Sequence, residues 1–134
     1  MIYRPPDTDI RVFNEYLTSL LLKARVEKKL LYILGDFNIN LLNANSHGLT
    51  QDFLDIMYSN SLLPTITKPT RITKHSATLI DNIFSNSLLS TQQILTGILY
   101  CDITDHFLVF LIDYSTNIEQ EAPIIKEEYY QKQI

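Results

Sequence analysis

The sequence predicts an α/β fold, a layered α/β sandwich with a mixed sheet, over residues 1–114. Two observations predict it. Apolar residues alternate between helical spacing and short strand-like runs at first, and strand-like runs dominate afterwards. In addition, the 134 residues are 46% hydrophobic and 19% charged, which is the composition of one globular domain rather than of a disordered chain.

Two helices are predicted from apolar stripes at helical spacing. The first ends near residue 26, and its stripe consists of Ile10, Phe13, Leu17, Leu20, Leu21 and Ala24. Its candidate N-caps are Asp7, Thr8 and Asp9. The second runs from a cap at Thr50 to about residue 60, and its apolar side chains are Phe53, Leu54, Ile56 and Met57.

Five strands are predicted around these helices. The first ends at Tyr3, because the two prolines that follow cannot continue a ladder. Residues 30–34 form a short apolar strand, which we expect to be covered on both faces. The remaining three are residues 77–84, residues 93–100 and residues 106–113.

The segments between these elements are polar. Residues 27–29 predict a solvated turn, and residues 64–75 predict a loop. Residues 115–134 lose periodicity and gain four glutamates, so we expect an acidic tail or linker there.

Composition excludes several functional classes. The net charge of −4 argues against a protein that coats nucleic acid non-specifically, because such binding depends on phosphate neutralisation. It leaves room for a local basic patch. Cys101 is the only cysteine, so an intramolecular disulfide and a CxxC zinc site are both excluded. We expect no membrane span and an intracellular protein, since no apolar run approaches the roughly 18 residues that cross a bilayer.

Carboxylates stand at three of the predicted strands. Asp36 follows residues 30–34, Asp81 lies inside residues 77–84, and Asp105 comes just before the last strand. Aspartate is depleted in strands and costly to bury without a partner, so the three together predict one acidic site. His106 adjoins this set, and a carboxylate such as Asp81 bonded to it would raise its basicity for proton transfer.

Each of these segments also has a purely structural interpretation. The sequence Gly35-Asp36-Phe37-Asn38 is typical of a turn, Asp81 with its neighbour Asn82 could mark a bulge, and the residues around Asp105 could form another turn. His47 and His75 lie in predicted loops, where we expect them to be exposed.

Four short blocks follow one another in a fixed order. They are Tyr3-Arg4-Pro5-Pro6, Gly35-Asp36-Phe37-Asn38, Lys68-Pro69-Thr70-Arg71 with Ser76-Ala77-Thr78-Leu79-Ile80-Asp81-Asn82-Ile83-Phe84, and Thr104-Asp105-His106. With these blocks the sequence resembles the endonuclease/exonuclease/phosphatase family over residues 1–114. The likeness is greatest to the apurinic-type endonuclease domains of LINE-type (non-LTR) retrotransposons.

The resemblance implies hydrolysis of phosphodiester bonds in DNA by a magnesium-dependent enzyme with a water nucleophile. It implies that Asp36 activates the water or handles the leaving group, and that Asn38 orients it and binds the phosphate. Side chains two apart in extended backbone lie on the same side, so we expect Asp36 and Asn38 to face one phosphate with Phe37 pointing away between them. It further implies that Asp81 orients the catalytic His106. Magnesium prefers oxygen ligands, which agrees with a site lined by acids rather than thiols.

The resemblance also assigns residues to substrate and metal. Tyr3 would hydrogen-bond the scissile phosphate, and Asp105 would be the acid associated with the metal. From residue 56 to residue 80 there is no acid, while Lys68, Arg71 and Lys74 alternate with threonines. Such a segment can contact the phosphates of DNA, and an exposed turn whose cations only aid solubility is the alternative.

The family's metal-binding glutamate lies in the N-terminal half of its four-layer fold, whereas this sequence starts at the Tyr3 block. We therefore expect a truncated endonuclease, about half of that fold, with little activity as an isolated chain. One sheet face would lose its cover and expose apolar residues that could drive self-association. The expected partners are DNA and the reverse transcriptase domain of a parent polyprotein, in the nucleus.

Two other functions remain open at this point. One is a non-catalytic nucleic-acid-binding remnant that keeps the Lys68 to Lys74 segment. The other is a phosphatase or small-molecule phosphodiesterase of the same superfamily.

Overall fold

The computed structural model describes residues 1–25, 29–87 and 94–114, and within them the chain is a mixed α/β protein. This confirms the predicted fold class. Eight strands and two α-helices occur in these ranges, with a 3₁₀ turn at Leu41–Asn43. In chain order they are β1 (Ile2–Tyr3), α1 (Ile10–Arg25), β2 (Tyr32–Asp36), α2 (Gly48–Ser59), β3 (Leu63–Pro64), β4 (Arg71–Ile72), β5 (Ala77–Thr78), β6 (Asp81–Ser85), β7 (Ile94–Leu99) and β8 (Leu108–Asp113).

A four-stranded mixed sheet in the order β1-β2-β6-β3 forms the centre of the fold. Strand β1 runs parallel to β2, and β6 runs antiparallel to both β2 and β3. Strands β4 and β5 form one separate hairpin, and β7 and β8 form another. One face of the sheet is buried, so the register of its strands is set by the side chains that must enter that core.

The helices cover one face of this sheet. Both predicted apolar stripes are confirmed, because Phe13, Leu17 and Leu21 of α1 are buried, as are Phe53, Leu54 and Met57 of α2. Four rings meet in the middle of this layer, with centroids 5.3 to 6.4 Å apart: Phe13, Phe37, Phe53 and Phe84. Burying several aromatic side chains is the largest apolar contribution available to a domain of this size.

The β7–β8 hairpin covers part of the opposite face. The Tyr32 hydroxyl donates to the Asp113 carboxylate at 2.7 Å, and Thr96 donates to the Thr65 carbonyl at 3.4 Å. Burial together with this carboxylate raises the pKa of Tyr32 to about 12. Strand β2 is buried at Ile33 on the helix face and half-buried elsewhere, and Leu30 before it is exposed, so the expected cover on both faces is found only in part.

The outer face of the β7–β8 hairpin exposes apolar side chains in cross-strand pairs. Leu95 pairs with Ile112 and Leu99 pairs with Leu108, and all four side chains are between 45% and 59% exposed. Such a strip is the kind of surface that the sequence led us to expect. Self-association through it stays a prediction.

Several element boundaries differ from the sequence prediction. The second strand is Tyr32–Asp36 rather than residues 30–34, so Asp36 is its last residue and not the residue after it. The predicted strand at residues 77–84 splits into β5 and β6, which belong to different sheets, and Asp81 begins β6 instead of lying inside a strand. The predicted loop at residues 64–75 contains the end of β3 and all of β4.

The caps and the last strand differ in similar ways. Helix α2 begins at Gly48, and the His47 side chain, not Thr50, is its N-cap. Asp9 caps α1 by accepting from the Arg11 N–H at 2.8 Å. The last strand begins at Leu108, since His106 makes only an isolated bridge to Arg71.

Some predictions fall on the rest of the chain. Residues 26–28, residue 93 and the expected acidic tail at residues 115–134 lie outside the described ranges. Within those ranges, neither helix combines the length and the apolar character needed to cross a lipid bilayer.

We predict that Gly35→Ala destabilises the fold, because a Cβ at this position would lie 1.9 Å from the carbonyl oxygen of Ile2 on β1. Strand β1 would have to move away from β2, at a cost of about 1–3 kcal/mol. Urea unfolding of the two proteins measures this difference.

Gly48→Ala is the matched control, since an added Cβ there meets nothing within 4 Å. Alanine favours helix over glycine, so the control should be neutral or stabilising by up to about 1 kcal/mol. Equal unfolding midpoints for the two variants would contradict the close approach of β1 to β2.

Candidate functional site

Three predicted site residues lie side by side on neighbouring strands. Tyr3 on β1 is opposite Asp36 on β2, and Asp36 is opposite Asp81 on β6. Residues directly opposite one another in a sheet project to the same face, so these side chains form one row. The face is the one away from the helices, because Ile33 and Phe84, which are offset from the row by an odd number of residues, enter the helix-side core.

His106 joins this row from the segment before β8. Its Nδ1 lies 3.2 and 3.4 Å from the two carboxylate oxygens of Asp81. The Asp81 side chain is 14% exposed and that of His106 is 35% exposed, so the pair is reachable from solvent but largely shielded from it. With a proton on Nδ1, His106 donates to Asp81, and its Nε2 is then the atom that can accept a proton.

Asp36, Asp81 and His106 together form a group that can hold a metal ion. One ligand atom from each lies within 4.8 Å of the others. Two carboxylate oxygens and an imidazole nitrogen converging in this way are a common ligand set for divalent cations.

The Asp36 carboxyl is held in an unfavourable environment. Burial raises the pKa of Asp36, and the negative charge of Asp81 raises it further. The Asn38 N–H, which donates to Asp36 at 3.0 Å, acts in the other direction, as do the positive charges of His106 and Arg71. The net direction is upward, because the favourable contacts do not replace the lost hydration of the carboxylate.

Arg4 shapes the turn that follows Asp36. It is 3% exposed, and its guanidinium donates to the carbonyls of Phe37 and Asn38, each at 2.7 Å, and to the carbonyl of Thr8. The Asn38 side chain returns a hydrogen bond to the Arg4 carbonyl at 2.8 Å. A planar cation with several donors can hold a loop in one conformation by satisfying its carbonyls together.

The spacing from Asp36 led us to expect Asn38 in extended backbone, but Asn38 does not adopt that conformation. Its φ is 47°, in the left-handed region that asparagine tolerates better than most residues. Its side-chain NH₂ group is engaged with Arg4 rather than directed beside the Asp36 carboxylate. Phe37 does point away from the site, as predicted, into the aromatic core.

Thr70 ties Asp81 and His106 to a common anchor. Its fully buried hydroxyl accepts from the N–H groups of Ile80 at 3.2 Å and Asp81 at 3.0 Å. Its carbonyl accepts from the Phe107 N–H at 2.7 Å. The start of β6 and the segment carrying His106 are in this way held by one residue.

Asp105 and Arg71, which were predicted to bind metal and phosphate, form an ion pair with each other. The Arg71 Nε donates to Asp105 at 2.7 Å, and both side chains are more than 40% exposed. This hydrogen bond holds the pKa of Asp105 below its usual range. Asp105 is not a member of the group formed by Asp36, Asp81 and His106.

The remaining predicted residues lie at the surface around the site. Tyr3 is 54% exposed, and Lys68 and Lys74 are exposed in the loop before β4 and in the turn between β4 and β5. The structure thus brings together Tyr3, Asp36, Asp81 and His106, with Asn38 at the adjoining turn. It leaves the two lysines as solvated cations outside the metal-ligand group.

Sequence reasoning missed the positioning roles of Arg4 and Thr70. Both lie inside the blocks that drew attention for other reasons, so the signal was present but was interpreted as phosphate contact or as loop. An arginine between a strand and two prolines is the more informative of the two, because a cation there must either be solvated or satisfy backbone carbonyls.

Comparison with models of known protein families gives no match to this chain, and no curated protein matches it significantly. The chemistry of the site is therefore interpreted from its geometry.

We predict that Asp36→Asn stabilises the metal-free protein at neutral pH. The variant removes a charge that burial and Asp81 disfavour, and its amide oxygen can still accept from the Asn38 N–H. Because the carboxyl stays partly solvated, the gain should not exceed about 1 kcal/mol. Thermal unfolding in the presence of a chelator measures it.

The pH dependence follows from the raised pKa. Between the ordinary and the raised pKa of Asp36, the folded state binds more protons than the unfolded state, so stability contributed by this group falls as pH rises. The advantage of Asp36→Asn should thus appear as pH increases through that window. Asp105→Asn is the control, and it should lower stability where Asp36→Asn raises it, because the pKa of Asp105 is lowered. A lower melting temperature for Asp36→Asn would contradict the conclusion that burial and Asp81 disfavour the Asp36 carboxylate.

Proposed function

We propose that Asp36, Asp81 and His106 form the hydrolytic centre of a magnesium-dependent DNA endonuclease of the retrotransposon type. The observation that supports it is the convergence of two carboxylates and an imidazole within 4.8 Å, with His106 hydrogen-bonded to Asp81. All four sequence blocks, which are far apart in the chain, meet in this group and its row with Tyr3.

His106 is the candidate general base. Hydrolysis of a phosphodiester needs a positioned water, a group that takes its proton and a group that protonates the leaving oxygen. The Asp81 carboxylate fixes the imidazole tautomer with the proton on Nδ1, so Nε2 can take the proton of a water near the site.

Asp36 is the candidate group at the leaving oxygen. As a carboxylate it would help to hold magnesium and would position the water that protonates that oxygen. The Asp36 side chain is only partly buried and stands beside Tyr3, so a phosphate can reach it. The Tyr3 hydroxyl would donate a hydrogen bond to that phosphate.

The oxygen donors of Asp36 and Asp81 fit magnesium, which prefers carboxylates and water, whereas imidazole is a poorer ligand for it. When bound, magnesium would neutralise negative charge on the phosphoryl oxygens. His106 is then kept for proton transfer. Because Asp105 is occupied by Arg71, we propose that the site needs a further carboxylate as a magnesium ligand.

DNA is the substrate that this surface favours. Lys68 and Lys74 are exposed cations close in sequence to Arg71, and they can contact phosphates of a bound DNA strand. By the same resemblance, this domain would belong to a parent polyprotein with a reverse transcriptase domain and would act in the nucleus.

A non-catalytic DNA-binding function is the second candidate, and the exposed lysines favour it equally. The two functions differ in what Asp36 does. In a hydrolytic centre its charge repels phosphate until a divalent ion neutralises it, whereas a binding remnant is indifferent to the ion.

We predict that magnesium raises the affinity of the chain for a fluorescently labelled DNA duplex, measured by anisotropy at constant ionic strength. Asp36→Asn should bind DNA about fivefold more tightly than the wild type in EDTA, because one repelling charge is gone. The same variant should lose most of the magnesium enhancement. Asp102→Asn, an exposed acid outside the group, is the matched control and should behave as wild type.

Nicking of supercoiled plasmid is measured with the same proteins. The isolated chain should nick at or near background, and any magnesium-dependent nicking should fall at least tenfold in His106→Ala, since loss of an acid or base typically costs about 10² to 10⁴ in rate. Magnesium-independent DNA binding in all variants would favour the binding remnant. Fast, repeated turnover would contradict the need for a further carboxylate.

A further inference from the structure

Arg4 and Asp36 contact opposite sides of a single peptide unit, the one that joins Phe37 to Asn38. On one side, the Arg4 Nε donates to the Phe37 carbonyl at 2.7 Å. On the other side, the Asn38 N–H donates to Oδ1 of Asp36 at 3.0 Å. A trans peptide is planar and directs its C=O and N–H in opposite directions, so the orientation that Arg4 imposes also aims the N–H at the carboxylate.

The position of the guanidinium is itself fixed from several directions. It also donates to the carbonyls of Asn38, at 2.7 Å, and of Thr8, in the segment before α1. The Arg4 backbone N–H donates to the Asp36 carbonyl at 2.9 Å. Because Arg4 is 3% exposed, water has little access to compete for these hydrogen bonds. The peptide unit is therefore held in one orientation.

A buried cation is an expensive means of holding a turn. Burial lowers the pKa of Arg4, and the negative charge of Asp36 acts in the opposite direction. Every hydrogen-bond acceptor of the guanidinium in the described part of the chain is a backbone carbonyl, which a neutral donor could satisfy at a lower desolvation cost. What the positive charge adds is attraction for the Asp36 carboxylate and a stronger polarisation of the peptide N–H that binds it.

Asp36 needs such support because it is directly opposite Asp81. Two carboxylates at opposite positions of a sheet repel each other. A carboxylate that is held by no other contact relieves this repulsion by rotating about its side-chain torsions into another rotamer, away from its neighbour. The hydrogen bond from the Asn38 N–H opposes that rotation.

We propose that Arg4 is a positioning residue for Asp36. Through the peptide unit between them it holds the carboxylate beside Asp81, in the orientation that binds a divalent ion. The inference rests on the proposed function, because it takes Asp36 to be a metal ligand. Metal-binding carboxylates are generally hydrogen-bonded by neighbouring groups, and loss of such a partner typically weakens metal affinity about 10- to 100-fold.

Arg4→Lys is the test variant, because it keeps the positive charge while one ammonium group cannot reproduce the planar fork that binds three carbonyls. Hydrogen exchange of the Asn38 N–H, followed by NMR in EDTA, should become about tenfold faster than in the wild type. The Thr65 N–H, which donates to the Ile83 carbonyl at 2.9 Å, reports on the central sheet and should exchange at an unchanged rate.

The Mn²⁺ affinity of the same variant should fall about tenfold, measured by the relaxation of water protons. Arg11→Lys, at an exposed arginine of α1, is the matched control and should change neither the affinity nor the exchange rates. A role of Arg4 in stability alone would leave the Mn²⁺ affinity of the folded chain unchanged.

A measurement on the wild-type chain does not depend on the folding of a variant. Scalar couplings across hydrogen bonds should join the Arg4 Nε to the Phe37 carbonyl carbon, and the Asn38 amide nitrogen to the Asp36 carboxylate carbon. Absence of either coupling in the NMR spectrum would overturn the proposal. So would equal exchange of the Asn38 N–H in wild type and Arg4→Lys, or acceleration at Thr65 as large as that at Asn38.

The outcome is separable from that of the hydrolytic centre. Mn²⁺ affinity that is equal in wild type and Arg4→Lys overturns the positioning role and leaves the hydrolytic centre standing. Absence of Mn²⁺ binding in the wild type overturns the hydrolytic centre, and the exchange rates and couplings, which need no metal, then decide whether Arg4 holds the Asp36 carboxylate.

Discussion

The register between the antiparallel strands β2 and β6 is the constraint on which the rest of this structure depends, and it sets Asp36 directly opposite Asp81. Like charges at opposite positions of a sheet repel, and here burial of Asp36 adds to the cost. The β2–β6 register cannot slip by one residue to relieve this, because Ile33 and Phe84 would then leave the helix-side core. The hydrophobic layer thus holds two carboxylates together that would otherwise separate.

The backbone around the carboxylates is secured in a corresponding way. Arg4 satisfies three carbonyls of the segments flanking β1 and β2, and Thr70 satisfies the two N–H groups at the start of β6. Gly35 lets β1 approach β2 closely enough for Tyr3 to stand beside Asp36. Arg4 and Gly35 adjoin Tyr3 and Asp36 in the sequence, and Thr70 is hydrogen-bonded to Asp81, so the same residues set the stability of the fold and the geometry of the site.

Much of the fold could be predicted because its signals are local. The spacing of Phe13, Leu17 and Leu21 identifies α1 whatever surrounds it, and Phe53 and Met57 do the same for α2. The strands were less predictable, since the break between β5 and β6 depends on which hairpin each half joins, and no local pattern encodes that. Asp81 looked like an interior strand residue for this reason.

The site was predictable to a similar degree. Acids at three strands correctly indicated that Asp36 and Asp81 meet, with His106 beside them. Sequence could not show that Arg71 lies within reach of Asp105, because that ion pair joins residues 34 positions apart through the packing of β4 against the His106 segment. Nor could spacing show that Asn38 leaves the extended conformation, because Arg4 imposes the turn from a distant part of the chain.

Paramagnetic broadening by Mn²⁺, observed in the NMR spectrum of the histidine rings, tests most directly whether a divalent ion binds at Asp36 and Asp81, beside His106. Mn²⁺ shares the oxygen preference of magnesium, and its effect falls steeply with distance. Substoichiometric Mn²⁺ should broaden the His106 ring signals and leave those of His47, the cap of α2, sharp, and Asp36→Asn should abolish the difference. Equal broadening of both rings, or none, would contradict a shared metal site.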